Sequence, residues 1–335
     1  MFLNRKKVAT VVKLVFITSV GILSFIGNIL IIIVIRKTKD FKQSQYVFKT
    51  SIAVSDVIWA VLLCIDSAKL IHRYVFTTHE LHCLPVLSDN NSYEGYEVKN
   101  FDCLPIFLPS IFDGIVSIFI TFFLRKTSLM VSLISLVFAA ADRYFAIAFP
   151  LKFKKTNTVK IAKVLSIIIW ILSLFITIIT VFTSMFNQAI KPINSFLQPS
   201  DCKNPNHIFE SGLLFLLFGL LWMFTLLTLK SLRRSYKGSL KLNRVVRTKF
   251  LAEKQMSLVL IFMVVAFTFS LSTTMYHHIR YYVLELYNVE CYNSETKLNL
   301  SLYFLSTNSI WNILIYNLIN KKFRLALKAL FKKQR

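Results

Sequence analysis

Hydrophobic positions in this chain fall in long blocks. Five blocks carry no Asp, Glu, Lys or Arg and cover residues 14–35, 164–190, 211–229, 255–279 and 298–320. Each is close to the roughly 20 residues that a helix needs to cross a bilayer. Two further blocks are apolar but interrupted. Residues 50–70 contain Asp56, Asp66 and Lys69, and residues 114–141 contain Arg125 and Lys126. Alternation at period two, which would mark a barrel strand, is absent. Backbone exposed to lipid must satisfy its own hydrogen bonds, so the blocks predict helices. The expected architecture is an all-α membrane protein of seven spans in one domain, residues 1–335. The helices are placed near residues 10–36, 45–71, 114–144, 160–186, 209–232, 252–280 and 298–319, with an amphipathic helix at 320–333.

Composition supports this class and removes others. Of 335 residues, 55% are hydrophobic and only 17% charged, with 31 Phe, 7 Gly and 7 Pro. A soluble domain carries about a quarter charged residues. Disordered, collagen-like and disulfide-framework proteins are excluded by the same figures. Five cysteines without zinc-type spacing exclude a structural zinc module.

The net charge of +24 suggests nucleic acid until its distribution is mapped. Alternate inter-span segments and the C-terminal tail hold 27 of the 40 basic residues against three acids, Asp40, Asp142 and Glu253. Lys49 is counted there, with the cations of the first such segment. The other basic and acidic residues cancel, so the surplus lies on one side. The positive-inside rule makes that side cytoplasmic and the N-terminus external. Arg5, Lys6, Lys7 and Lys13 run against the bias, but seven spans with a basic tail leave one consistent parity. Topology and anionic lipid headgroups account for the basic loops, and no basic domain remains for nucleic acid. Residues 14–35 are too long for a signal-peptide core and end in basic residues, so they read as a span.

Cys83, Cys103, Cys202 and Cys291 fall on the outer side, and Cys64 lies in the second span. The external compartment favours disulfides, and four cysteines allow three pairings. Asn90 opens an Asn-X-Ser glycosylation sequon in the long outer loop of residues 72–113. Asn299 opens another but lies close to the membrane.

Ionisable groups inside spans are costly and invite functional readings. Asp56 admits two. Neighbouring polar groups can satisfy it for packing alone. Alternatively, oxygens of Asn28, Ser132, Asn308, Ser309 and Asn312 converge with Asp56 on a hard monovalent cation such as sodium, with Asp56 and Ser132 as ligands. Asp142-Arg143-Tyr144 closes the third span, with Pro150 ending the helix. Glu253 at the inner start of the sixth span offers a second carboxylate. An Arg held between two carboxylates on two helices can act as a latch.

These residues carry a resemblance to the rhodopsin-like (class A) G-protein-coupled receptors over nearly the whole chain. The landmarks are Gly27-Asn28, Ser55-Asp56, Asp142-Arg143-Tyr144, Pro150-Leu151, Trp170, Glu253, Phe267, and the block from Asn308-Ser309 through Asn312 to Tyr316, then Phe323-Arg324. The resemblance implies an agonist pocket opening outward, a sodium site at Asp56 and an outward swing of the sixth helix that admits a heterotrimeric G protein. It also implies a short amphipathic helix after Tyr316. Phe323, Leu327, Leu330 and Phe331 show that helix independently, since they share one face at helical spacing.

The chain departs from the family pattern at several positions. Ile313 replaces the Pro of NPxxY, which implies a lost or moved kink. Ser270-Leu271-Ser272-Thr273 replaces CWxP. The fifth span has no Pro, with Gly219 nearest by spacing and Leu227 where a Tyr is usual. Ile118 replaces the Cys capping the third helix, which leaves Cys103 as the implied partner of Cys202.

For the ligand, Arg125 stands where amine receptors carry Asp, with Lys126 beside it, so an amine would be repelled. The seventh span has no Lys for a retinal Schiff base. Arg pairs well with carboxylate or phosphate, pointing to an anionic small molecule or a peptide with an acidic end. The competing reading pairs Arg125 internally with Asp113, Asp66 or Glu285, or lets both cations snorkel outward. Thr274 and His277 complete the pocket candidates, with His277 and His278 suited to the outer rim.

The expected function is a plasma-membrane receptor that turns binding of an extracellular ligand into G-protein activation. It is expected to need no cofactor, with sodium as the candidate ion, and to partner with ligand, G protein and membrane lipid but not with nucleic acid. The alternatives are a non-signalling or scavenging receptor and a transporter or channel, for which no inverted repeat or continuous polar route is visible. A membrane enzyme would need metal-ligand spacing, a nucleophile–base pair or a phosphate loop, and the sequence has none.

Overall fold

A computed structural model describes residues 2–38, 43–76, 111–155, 158–194, 205–239, 244–286 and 304–332. Within them the helices are α1 (Phe2–Lys37), α2 (Ser44–Phe76), α3 (Ile111–Ala148), α4 (Pro150–Lys155), α5 (Thr158–Asn194), α6 (Pro205–Ser239), α7 (Arg244–Leu286), α8 (Asn308–Ile319) and α9 (Lys321–Lys332). Six of these helices are long and apolar enough to cross a membrane. The seventh span is represented by α8 and the helical residues 304–306 before it, and its outer start lies outside the described residues.

The bundle is sorted by what each helix faces. α2 and α3 are the most buried spans and form its centre, and α3 packs against α2, α5, α6 and α7. α5 and α6 are the least buried. Ile167, Ile171, Phe175 and Phe182 stand exposed on α5, as do Leu216 and Leu226 on α6. On a soluble protein such stripes would mark an interface; on a span they are the lipid face. The interior combines aliphatic side chains such as Val34, Leu133, Leu221 and Val264 with fully buried Ser, Thr and Asn. Small polar residues let helices approach and hydrogen-bond across the gap. Trp170 on α5 donates to Ser51 Oγ on α2 at 3.0 Å, and Trp222 on α6 donates to Thr268 Oγ1 on α7 at 3.1 Å.

Three local features refine the sequence expectations. Pro150 does more than end a helix. It opens the short helix α4, where a missing N–H costs nothing. The seventh span is regular through Ile313, and its irregularity sits upstream as a turn at Thr307. There the Thr307 amide donates to Phe304 O, and its hydroxyl lies 3.2 Å from Ser270 Oγ on α7. Ile313 presses instead on α1: a Cβ built at Gly27 would stand 1.9 Å from Ile313 Cδ1. Only a residue without a side chain permits that approach.

The tail helix forms where its apolar spacing places it. Asn320 ends α8, its amide donating to Tyr316 O and its Oδ1 accepting from the Phe323 amide at 3.1 Å. Phe323 is buried against the Tyr316 ring, with centroids 5.4 Å apart. Arg324 donates to the carbonyls of Asn317 and Leu318, supplying a cation to the end of α8. The Phe331 side chain lies outside the described residues.

Candidate functional site

Three polar groups lie along the bundle. The middle one is built on Asp56, which α2 carries at mid-span, 3% exposed. Asn312 Nδ2 donates to Asp56 Oδ2 at 2.6 Å. Ser128 and Ser132, one turn apart on α3, reach α2: Ser128 donates to Ser55 O, and Ser132 Oγ lies 2.6 Å from Ser55 Oγ. Asn28 on α1 donates to Ser24 O and more weakly to Ser309 O, and its Oδ1 has no partner among the described residues. Trp59 donates to Ser306 Oγ and roofs the group.

Between these side chains is a cavity of about 20 Å³ bounded by Asp56, Trp59, Ser128, Ser132, Asn308 and Ser309, with Leu129 and Leu305. That volume suits one water or one small ion. Its polar lining offers a carboxylate, serine hydroxyls and an amide, which fits a hard monovalent cation. No cluster of three His, Cys, Asp or Glu exists among the described residues. Asp56, Ser132, Asn308 and Ser309 therefore share one cavity, Asn312 holds the carboxylate from the side, and Asn28 joins through Ser309.

The second group lies where the C-terminal end of α3 meets the N-terminal end of α2. Arg143, 3% exposed, donates to Asp142 Oδ2 at 2.8 Å, and Ser44 donates to Asp142 Oδ1 at 2.6 Å. Tyr144 turns away from this pair into an aromatic cluster with Phe145, Phe149 and Phe224. Tyr316 is buried near the base of α8, with Phe323 beneath it. Glu253 belongs to α7, but its side chain lies outside the described residues.

Lys49 corrects the sequence reading. It is not a loop cation; it is a buried residue of α2 whose ammonium lies 5.1 Å from the Tyr46 ring centre and 4.9 Å from that of Tyr316. Its position inside residues 45–71 was the available signal, overridden by counting it with neighbouring basic residues.

The third group lies toward the opposite end of the bundle. Arg125 pairs with Asp66 and Lys126 with Glu210. Arg125 also stands over the Trp59 ring, and Lys126 over Phe122. Of the internal partners expected for Arg125, Asp66 is the one in contact, while the side chains of Asp113 and Glu285 lie outside the described residues. Glu210 was missed because it sits near the N-terminal end of α6, far from Lys126 in sequence. Thr274 Oγ1 is buried and has no hydrogen-bond partner among the described residues. The side chains of His277 and His278, together with Asn90, Cys83, Cys103, Cys202 and Cys291, lie outside the described residues, and Cys64 is a free thiol.

Comparison with known proteins bears on the family of the bundle. The profile of the family described as 7 transmembrane receptor (rhodopsin family) matches residues 114–316. Melanocortin receptor 3 of Homo sapiens is 26% identical over 153 residues, covering 46% of this chain and 38% of that receptor. The QRFP-like peptide receptor of Branchiostoma floridae is 23% identical over 165 residues, covering 49% of this chain and 34% of that receptor. This chain thus matches little more than a third of the length of either relative. Both relatives are receptors rather than enzymes.

Proposed function

Because the chain belongs to the rhodopsin family of seven-transmembrane receptors, we propose that it binds an extracellular ligand and activates a heterotrimeric G protein from its cytoplasmic end. The observation that carries this reading is Arg143, buried at the inner end of α3 and held by the adjacent carboxylate of Asp142. A largely buried ion pair where helix ends meet is a bistable element: closed in one state, released in the other. Glu253 on α7 is the second carboxylate of the latch. In this reading the N-terminus is external, the C-terminus cytosolic and the protein resident in the plasma membrane. The unequal distribution of basic residues supports that orientation.

The cavity at Asp56 holds a sodium ion in the resting state, with Asp56 and Ser132 as ligands. The internal pairs Arg125–Asp66 and Lys126–Glu210 leave the outer group close to neutral, so the anionic ligand reading requires one of these pairs to open. A peptide with an acidic end is the preferred ligand class, and the match to a receptor named for a peptide supports it.

The test is nucleotide exchange with a panel of G-protein chimeras, with agonists sought in a broad screen. Arg143→Ala should abolish agonist-driven exchange while surface expression persists, and Glu253→Ala should raise ligand-independent exchange. Unchanged exchange in Arg143→Ala overturns the coupling reading. A non-signalling or scavenging receptor is the second reading. It is favoured by Leu271, wholly buried where the family carries Trp, and by a seventh span regular through Ile313.

A further inference from the structure

Two buried cations, Lys49 and Arg143, lie at the cytoplasmic end, and only Arg143 is paired with the Asp142 carboxylate. Asp142 already accepts from Arg143 at Oδ2 and from Ser44 at Oδ1. Lys49 is 3% exposed, and its Nζ makes no hydrogen bond among the described residues. It rests on the faces of Tyr46 and Tyr316, five residues along α2 from Ser44, which bonds Asp142. Ring faces compensate a buried ammonium only in part. If the position served packing alone, Met or Leu would fill it without that cost.

The cost is understandable if a second arrangement uses the charge. When Arg143 leaves Asp142, the largely buried carboxylate would keep Ser44 as its hydrogen-bond donor among the described residues, and a poorly compensated charge there opposes any such step. Lysine carries a compact charge on a long rotatable stem, so it can change partners without backbone movement.

We propose that Lys49 is the reserve counter-ion of Asp142, parked between Tyr46 and Tyr316 while Arg143 holds the carboxylate and moving onto it when Arg143 departs. Lys49 is thus a positioning residue that lowers the barrier to releasing Arg143. Its departure also frees the Tyr316 ring, so the inner ends of α2, α3 and α8 change together. The activation part of this proposal rests on the coupling reading above, but the ion-pair exchange itself does not.

The test is a double-mutant cycle on the purified full chain, comparing the thermal midpoints of the parent, Lys49→Met, Arg143→Ala and the double variant. Lys49→Met alone should leave the midpoint unchanged or raise it, because a buried cation is replaced by an apolar side chain of similar length. Arg143→Ala alone should cost little, since Lys49 takes over Asp142. The double variant should fall below the sum of the single effects by roughly 3–6 °C. Lys49→Gln serves in the same cycle if Met is not tolerated. Additive midpoints overturn the proposal, as does a Lys49→Met variant that is destabilised to the same extent with and without Arg143.

In the signalling arm, Lys49→Met should lower basal exchange about tenfold, a barrier change near 1.4 kcal/mol. Adding Asp142→Asn should restore exchange, because a neutral amide needs no counter-ion, and failure of that rescue overturns the proposed role in release. A parent that drives no exchange with any G protein refutes the coupling reading, and the thermal cycle then decides the counter-ion exchange by itself.

Discussion

Asn312 on α8 donates a 2.6 Å hydrogen bond to Asp56 on α2, joining residues 256 positions apart. The bond fixes the rotation of α8 about its own axis, which in turn brings Asn308 and Ser309 to the central cavity. Asn312→Ala would leave a buried carboxylate short of a donor. The expected loss is about 1–3 kcal/mol, read as a lowered thermal midpoint of the purified protein. A midpoint equal to the parent's would mean that another group supports Asp56.

Sodium in the central cavity and agonist at the outer end are expected to oppose each other. Raising sodium should weaken agonist binding about five- to tenfold, within the usual range of coupling between sites. Asp56→Asn should make agonist affinity insensitive to sodium. Radioligand or fluorescent-ligand displacement in sodium and in an inert cation of equal ionic strength measures this. Indifference of the parent to sodium would remove the ion from the mechanism.

Gly27 and Ile313 are matched by shape. A methyl at Gly27 would overlap the Ile313 side chain, so Gly27→Ala should destabilise by about 1–3 kcal/mol through overpacking. Adding Ile313→Ala clears the space and should recover much of that loss. Surface yield and thermal midpoint of the three variants decide the matter. Equal damage in the single and double variants would place the strain elsewhere.

Arg125 and Asp66 are both partly exposed, which limits the stability their pairing brings. Their variants are therefore more informative in binding. If Arg125 serves Asp66 rather than the ligand, Arg125→Ala and Asp66→Ala should weaken agonist binding by similar factors, with no further loss in the double variant. If the ligand's acidic end displaces Asp66, then Asp66→Ala should tighten binding and Arg125→Ala should weaken it. Displacement curves for the four chains separate the two cases.

The all-helical class, the run of apolar segments long enough to cross a membrane and the amphipathic tail helix were legible along the chain. These follow from local quantities: how many successive residues a bilayer accepts, where charge interrupts them, and which residues share a helical face. Partner choice was not local. Whether Arg125 met Asp66 or another acid, whether Lys126 found Glu210, and whether Lys49 faced water or two tyrosine rings depended on how each helix is rotated and how closely its neighbours approach. Gly27 against Ile313 shows the same point, since neither residue signals the other until two distant helices touch. Hydropathy places a helix in the membrane because lipid excludes charge at every angle around its axis; only packing of the bundle selects the angle, and with it the partners of every buried charge.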